Sequence, residues 1–290
     1  MQPEDILICL GSIGLNYLGK SLFILLLILM ASFKSYSCTL TLGISTESSP
    51  YLFEKTDQGW SGVSIDLAKT LAKKADCELK IISAPWGRAI KLLESGKIHF
   101  LTNFTHSKSR AKFADFIGPH YIESATFVAR KTISANVNSP KELHQFTGTV
   151  GIQRGANFGH EFENLILKNP NTIQKLVYLP NIDERYSMLK LGRLDGVFDD
   201  QLIAHHMLET GEISKDEFSI RFFLHGTPTY FGISKKAVSK KLKNKLQKAW
   251  LTMREEHLVE KIYEKYGLTL NTKQLFKEDK LGHAYKISKM

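Results

Sequence analysis

Residues 92–100 read Leu-Leu-Glu-Ser-Gly-Lys-Ile-His-Phe, and 96 positions later residues 188–196 read Met-Leu-Lys-Leu-Gly-Arg-Leu-Asp-Gly. Both copies have the make-up of an amphipathic helix end. A glycine able to take the left-handed C′ conformation comes next, then a cation near the negative helix terminus, then a short apolar strand. A helix–glycine–strand unit repeated at this distance constrains the fold more than any other feature of the chain. It calls for two α/β lobes built on one plan, and 290 residues suffice for two domains of ordinary size.

The stretches around the echo alternate in kind. Strands are predicted at 39–44, 79–82, 98–101 and 126–128, with helices over 65–72 and 89–93 and a short helix from Ser107 to Ala114. The pattern resumes with strands at 149–153, 176–178, 196–198, 220–224 and 230–233. Helices are predicted at 158–167, 185–191, 202–208, 237–255 and 258–266. The last two strands are divided by a Gly-Thr-Pro break at 226–228. Strands alternating with helices imply mostly parallel sheets, with ligands bound beyond the carboxyl ends of the strands.

Residues 22–33 form an apolar run behind Lys20. A dozen residues fall short of the roughly 20 needed to span a bilayer. With small residues at Ser35 and Ser37, residues 1–37 read as a secretory signal cleaved before Cys38, or as a retained N-terminal anchor. Ser35 rather than leucine stands three residues before Cys38, which argues against lipid attachment there. Of three cysteines, Cys9 lies in the leader. Cys38 and Cys77 each precede a predicted strand, so they bridge if those strands are parallel neighbours and otherwise stay as thiols.

The net charge is +10. Its densest run, Lys235 to Lys248, has helical spacing opposite Val238, Leu242, Leu246 and Ala249, the pattern of a solvated helix face. No zinc-finger, RNA-motif or phosphate-loop signature accompanies it, so nucleic acid is not an expected partner. No metal or cofactor is expected either. His205 and His206 are adjacent on a helix and diverge, and His99 reads as a strand histidine with a hydrogen-bond partner.

The loops after Ile44, after Leu101 and after Gln153 are the places for chemistry. After Leu101 come Asn103, Thr105 and Arg110, which set amide, hydroxyl and guanidinium groups near a helix start, as a carboxylate requires. After Gln153 the sequence Arg-Gly-Ala-Asn157 precedes a helix whose N–H groups suit the same anion. The strand 196–198 delivers Asp199 and Asp200, either of which suits an ammonium group. Asp199 also reads as a solvated neighbour.

With these residues in view, the chain resembles the bacterial extracellular solute-binding proteins of family 3, the amino-acid receptors of ABC importers. The resemblance runs from about Leu40 to Gly267. It is carried by Gly62–Ala68, Trp86, Leu93–Ile98, Thr105–Arg110 with Phe113–Phe116, Val150–Gly155 and Leu189–Asp200. It implies a two-lobe, type II periplasmic-binding-protein-like α/β fold, each lobe a mostly parallel sheet flanked by helices, joined by a two-strand hinge near 129–131 and 224–227. The implied division is lobe 1 over 38–128, lobe 2 over 129–226, a return to lobe 1 over 227–268 and a basic tail over 269–290.

Carried over residue by residue, the resemblance implies that Arg110 clamps a ligand carboxylate with help from Thr105 and Asn157. Asp200 would take the ammonium group, and Trp86 would form an apolar wall. Glu47, Ser48 and Asn103 complete the candidate site, and Arg88 would add charge beside it. It further implies a monomeric, periplasmic, non-enzymatic protein that captures an amino acid and delivers it to an ABC permease. The chain departs from the family pattern at His99, Ser48 and Arg154. Two alternatives on the same fold are an exported cyclohexadienyl-dehydratase-like enzyme, with Glu47 as its acid, and a ligand-sensing module.

Overall fold

The computed structural model describes residues 38–45, 54–57, 59–134, 136–268 and 275. The expected leader, the loop carrying Glu47 and Ser48, and nearly all of the basic tail lie outside the described residues.

Two five-stranded sheets organise the chain. The first has the order β4-β1-β5-β12-β6, from β1 (Thr39–Ile44), β4 (Glu78–Ser83), β5 (Phe100–Thr105), β6 (Ala114–Glu123) and β12 (Thr227–Ser234). The second has the order β9-β8-β10-β7-β11, from β7 (Ala125–Arg130), β8 (Val150–Gln153), β9 (Leu176–Leu179), β10 (Gly196–Asp200) and β11 (Phe218–Phe223). A small hairpin, β2 (Glu54–Thr56) with β3 (Gly59–Ser61), stands apart from both.

The two sheets share one plan. In the first, β4, β1 and β5 are parallel and β12 then β6 join antiparallel. In the second, β9, β8 and β10 are parallel and β7 then β11 join antiparallel. The sequence echo falls at matching places, on the helix entering β5 and on the helix entering β10. Helix α1 covers Val63–Lys74, α2 Trp86–Ser95 and α3 Ile182–Lys190. Beyond α2, Gly96 has φ 77°, the Gly96 N–H donates to Leu93 O and the Lys97 N–H to Leu92 O. Beyond α3, Gly192 has φ 69°, its N–H donates to Leu189 O and the Arg193 N–H to Met188 O. Both ends are the same left-handed closure, which a side chain with a Cβ adopts only at a cost.

Helices cover both faces of each sheet. In the first lobe α1 packs with α5 (Lys240–Glu255) and α6 (Leu258–Lys265) over Leu40, Leu42, Ile44, Phe100 and Phe231, while α2 covers the other face through Ala89, Leu93, Leu101 and Phe104. In the second lobe α3 and α4 (Gln201–Glu209) pack over Val128 and Val197. Short helical turns at Pro140–Gln145 and His160–Leu167 pack over Phe127, Val150, Ile152 and Phe198 on the far side. Each fully buried Leu or Phe contributes roughly 1.5–3 kcal/mol, so neither layer is optional.

The Lys240–Lys248 run lies on α5, whose buried face is Leu246, Ala249, Trp250 and Met253, as its spacing requires. Cys38 and Cys77 form a disulfide, because the strands they precede are parallel neighbours with Thr39 opposite Glu78.

Three local expectations are revised. The short helix to Ala114 is only a 3-10 turn at Arg110–Lys112, and residues 114–123 form the strand β6. Gly118-Pro119 punctuates that strand in the sequence, yet β6 is the sheet's edge, where a residue lacking an N–H is tolerated. The chain passes from the first sheet to the second at Ser124, so β7 belongs to the second lobe and the crossing precedes 129–131. The Gly-Thr-Pro break lies at the return crossing, with Thr227 and Pro228 already in β12 opposite Glu123 and Ile122.

Candidate functional site

The carboxyl ends of the parallel strands converge on one cleft of about 620 Å³. The first lobe supplies Ser45 after β1, Trp86 at the start of α2, Asn103 and Thr105 on β5, Arg110, and Glu123 at the end of β6. The second supplies Gln153 at the end of β8, Ala156, Asn157 and Phe158 from the following loop, Asp199 and Asp200 at the end of β10, and Ile203 on α4. Six of the eight residues singled out in the sequence thus line one cavity. Glu47 and Ser48 lie outside the described residues.

Arg110 is 6% exposed. Its guanidinium stacks on the Phe104 ring, 4.3 Å from the centroid, which is a favourable seat for a weakly hydrated cation. Nη1 donates to Thr105 O at 2.8 Å, and Nη2 donates across the cleft to Gly155 O at 3.0 Å. Two of five N–H groups are engaged in this way. Burial lowers its pKa to about 10, against the pull of Glu123, and it stays charged at neutral pH.

Asp200 faces Arg110 from the other lobe and is 2% exposed. Its Oδ1 accepts from the Leu202 N–H at 2.8 Å and so caps α4, while Oδ2 accepts a long hydrogen bond from the Tyr121 hydroxyl at 3.4 Å. Capping and cleft exposure are therefore compatible, one for each oxygen. Burial raises its pKa to about 7, the cap opposes that, and the charge of Asp199 adds to it.

The sequence misplaces Asp199. It is 3% exposed and pairs with Arg185, 1% exposed, at 2.8 Å, and its Oδ1 accepts the Asp200 N–H at 3.0 Å. This buried ion pair clamps the end of β10 to α3.

Glu123 is the residue that sequence reasoning missed. It ends β6 at the crossing, half-buried, and its Oε2 accepts from Thr105 Oγ1 at 3.2 Å. Burial, then the nearby Asp200, push its carboxyl well up, and Arg110 only partly restrains it. The only available signal was a lone acid closing the apolar stretch Tyr121-Ile122, in a segment whose Gly-Pro hid the strand.

The smaller groups are positioned locally. Trp86 meets Phe104 edge-on at 6.2 Å and is both core and cleft wall. Asn103 takes φ 52°, and its Nδ2 donates to Ser64 Oγ at 2.9 Å. Asn157 lines the cleft, and its Oδ1 accepts the Gly159 N–H at 2.9 Å in an Asx turn. Arg88 is exposed and outside the cleft lining, so it adds no charge there. His99 lies in the bend just before β5 rather than in a strand, and its Nδ1 accepts the Thr41 N–H at 3.1 Å, so it has the expected hydrogen-bond partner.

The chain is similar to several known proteins. The sequence model of the bacterial extracellular solute-binding proteins, family 3, matches residues 40–269. The histidine-binding periplasmic protein of Escherichia coli (strain K12) is 26% identical over 247 residues, 81% of this chain and 90% of the relative. The ABC transporter arginine-binding protein 1 of the same organism is 24% identical over 247 residues, 82% of this chain and 96% of the relative. Among solved structures, an ancestral arginine-binding protein bound to arginine superposes with a TM-score of 0.68 at 26% identity, covering 80% of this chain and 99% of that one.

Proposed function

The chain belongs to the bacterial extracellular solute-binding proteins, family 3, and from that premise we propose that it captures an amino acid in its cleft by closure of the two lobes. In this reading it works in the periplasm as a monomer and delivers the ligand to an ABC permease. The observation that carries the reading is the convergence of Arg110 and Asp200, from different lobes, on one cavity.

The ligand carboxylate is assigned to the unengaged N–H groups of Arg110, with Asn157 and Asn103 as neutral donors beside it. Thr105 supports the same corner through its backbone carbonyl and hydroxyl. The ammonium group is assigned to the Asp200 carboxylate, and Trp86 and Phe158 supply apolar walls. A ligand held at both poles joins the lobes, because each pole belongs to a different lobe. The Arg110–Gly155 contact already runs along that line.

The test is native mass spectrometry of gently purified protein, followed by calorimetry against a panel of amino acids. One amino-acid class should bind with 1:1 stoichiometry and a Kd of about micromolar or tighter, some −8 kcal/mol. Failure of every amino acid to bind at millimolar concentration overturns the reading. The dehydratase alternative finds a half-buried acid in the cleft in Glu123. However, prephenate carries two carboxylates, and the described cleft sets two acids against one uncommitted guanidinium. Incubation with prephenate should yield no phenylpyruvate.

A further inference from the structure

We propose, building on the amino-acid reading, that Glu123 is the specificity determinant of the cleft and selects an amino acid whose side chain carries a second positive charge: a guanidinium, ammonium or imidazolium.

The argument is one of charge balance in a buried space. Four charged side chains line the described cleft: Arg110, Glu123, Asp199 and Asp200. Asp199 is matched by Arg185 at 2.8 Å, and both are nearly without solvent exposure. One cation is left facing two carboxylates. A zwitterionic ligand brings one charge of each sign, engages Arg110 and Asp200, and leaves Glu123 uncompensated in a site now closed to water. An uncompensated buried carboxylate is strongly disfavoured. A ligand of net charge +1 removes the imbalance.

The geometry around Glu123 fits this role. It sits on β6 next to the crossing at Ser124, between the lobe that presents Arg110 and the strand end that presents Asp200. Thr105 Oγ1 fixes Oε2, and Oε1 takes no hydrogen bond from the described residues. One oxygen is thus anchored and the other is left to a ligand. Burial and Asp200 push the carboxyl up, so its charged form is disfavoured until a cation stands beside it. A ligand cation would stabilise that charged form and satisfy both oxygens. No other described residue combines an anionic group, a fixed orientation and a position apart from the two poles of the zwitterion.

The experiment compares arginine with citrulline, its neutral isostere, by calorimetry on the full chain and on Glu123→Gln. The wild type should prefer arginine by about 30-fold or more, the scale of one charge-assisted hydrogen bond in a closed site. Glu123→Gln should shrink that ratio to about threefold or less. Glu123→Asp, which keeps the charge but draws it back, should fall between the two, and circular dichroism checks that each variant is folded. Equal affinities for arginine and citrulline in the wild type, or an unchanged ratio in folded Glu123→Gln, overturns the assignment while amino-acid binding stands. Binding of neither compound, nor of lysine or histidine, overturns it as well, while the amino-acid reading falls only if every amino acid of the panel fails to bind.

Discussion

The Arg110 guanidinium donates to the Gly155 carbonyl at 3.0 Å, so a side chain of the first lobe holds the backbone of the second. The same group rests on Phe104 and bonds Thr105 O, which fixes its plane before any ligand arrives. Preorganisation of this kind lowers the entropy lost on binding.

Arg110→Ala is expected to weaken ligand binding by about 100-fold or more, since it removes two charge-assisted hydrogen bonds of roughly 1.5–3 kcal/mol each. Arg110→Lys should recover only part of the loss, because an ammonium group cannot form the fork. Calorimetry measures both, and an unwavering affinity in Arg110→Ala would remove the residue from the site.

Asp200 links affinity, stability and pH. Its pKa is higher in the fold, about 7, than its ordinary 3.8, so the native state binds the extra proton between those values. The stability of the ligand-free protein should therefore be greatest at the acid end and decline as pH rises through about 7. Affinity should move the other way, weakening below about pH 7 as the proton competes with the ligand ammonium. Asp200→Asn keeps the acceptor that caps α4, as asparagine caps well. It should raise the melting temperature of the ligand-free protein at pH 8 and cut affinity by about 100-fold, a trade of function for stability. Thermal melts from pH 4 to 8 and titrations over the same range check both signs.

The Asp199–Arg185 pair predicts an asymmetric mutant response. Asp199→Ala strands a cation with almost no solvent exposure and should destabilise the protein by about 3–5 kcal/mol. Pairing it with Arg185→Leu should restore much of that loss, because the stranded charge is gone. Denaturant melts of the two single variants and the double variant measure the coupling.

The Cys38–Cys77 bridge joins residues 39 positions apart. Chain entropy assigns such a loop about 4 kcal/mol, and measured values are usually 2–4. The bridge sits before β1 and β4, whereas Ser45 beyond the other end of β1 lines the cleft, about 20 Å along the strand. The double variant Cys38→Ala/Cys77→Ala should lose about 2–4 kcal/mol of stability and keep its ligand affinity within about twofold.

Much of this was legible in the sequence. The echo at Gly96 and Gly192 survives as matching hydrogen bonds, because left-handed closure and strand entry are local events written in a few neighbouring residues. Asn103, Thr105, Arg110, Asn157 and Asp200 were traceable because each follows a strand whose apolar pattern announces its end. What was hidden depends on partners distant in the chain. The β6 strand forms in spite of Gly118-Pro119 because β12, more than 100 residues later, supplies the ladder. Asp199 is buried only because Arg185 comes down from α3, and Glu123 enters the cleft only because β6 exists. A period of two or of 3.6 carries no record of such meetings.

The chain crosses between lobes twice, at Ser124 and at residues 224–226, and the crossings run side by side: the Leu224 N–H donates to Ala125 O at 2.8 Å, and Thr227 lies opposite Glu123. A single thread between two bodies is a swivel, free to turn in every direction. Two threads tied together would guide the proposed closure as a door on two pins, with one swing and little twist. Glu123 rides on one of those pins, so whatever satisfies its carboxylate does so at the pivot of the swing rather than at its edge.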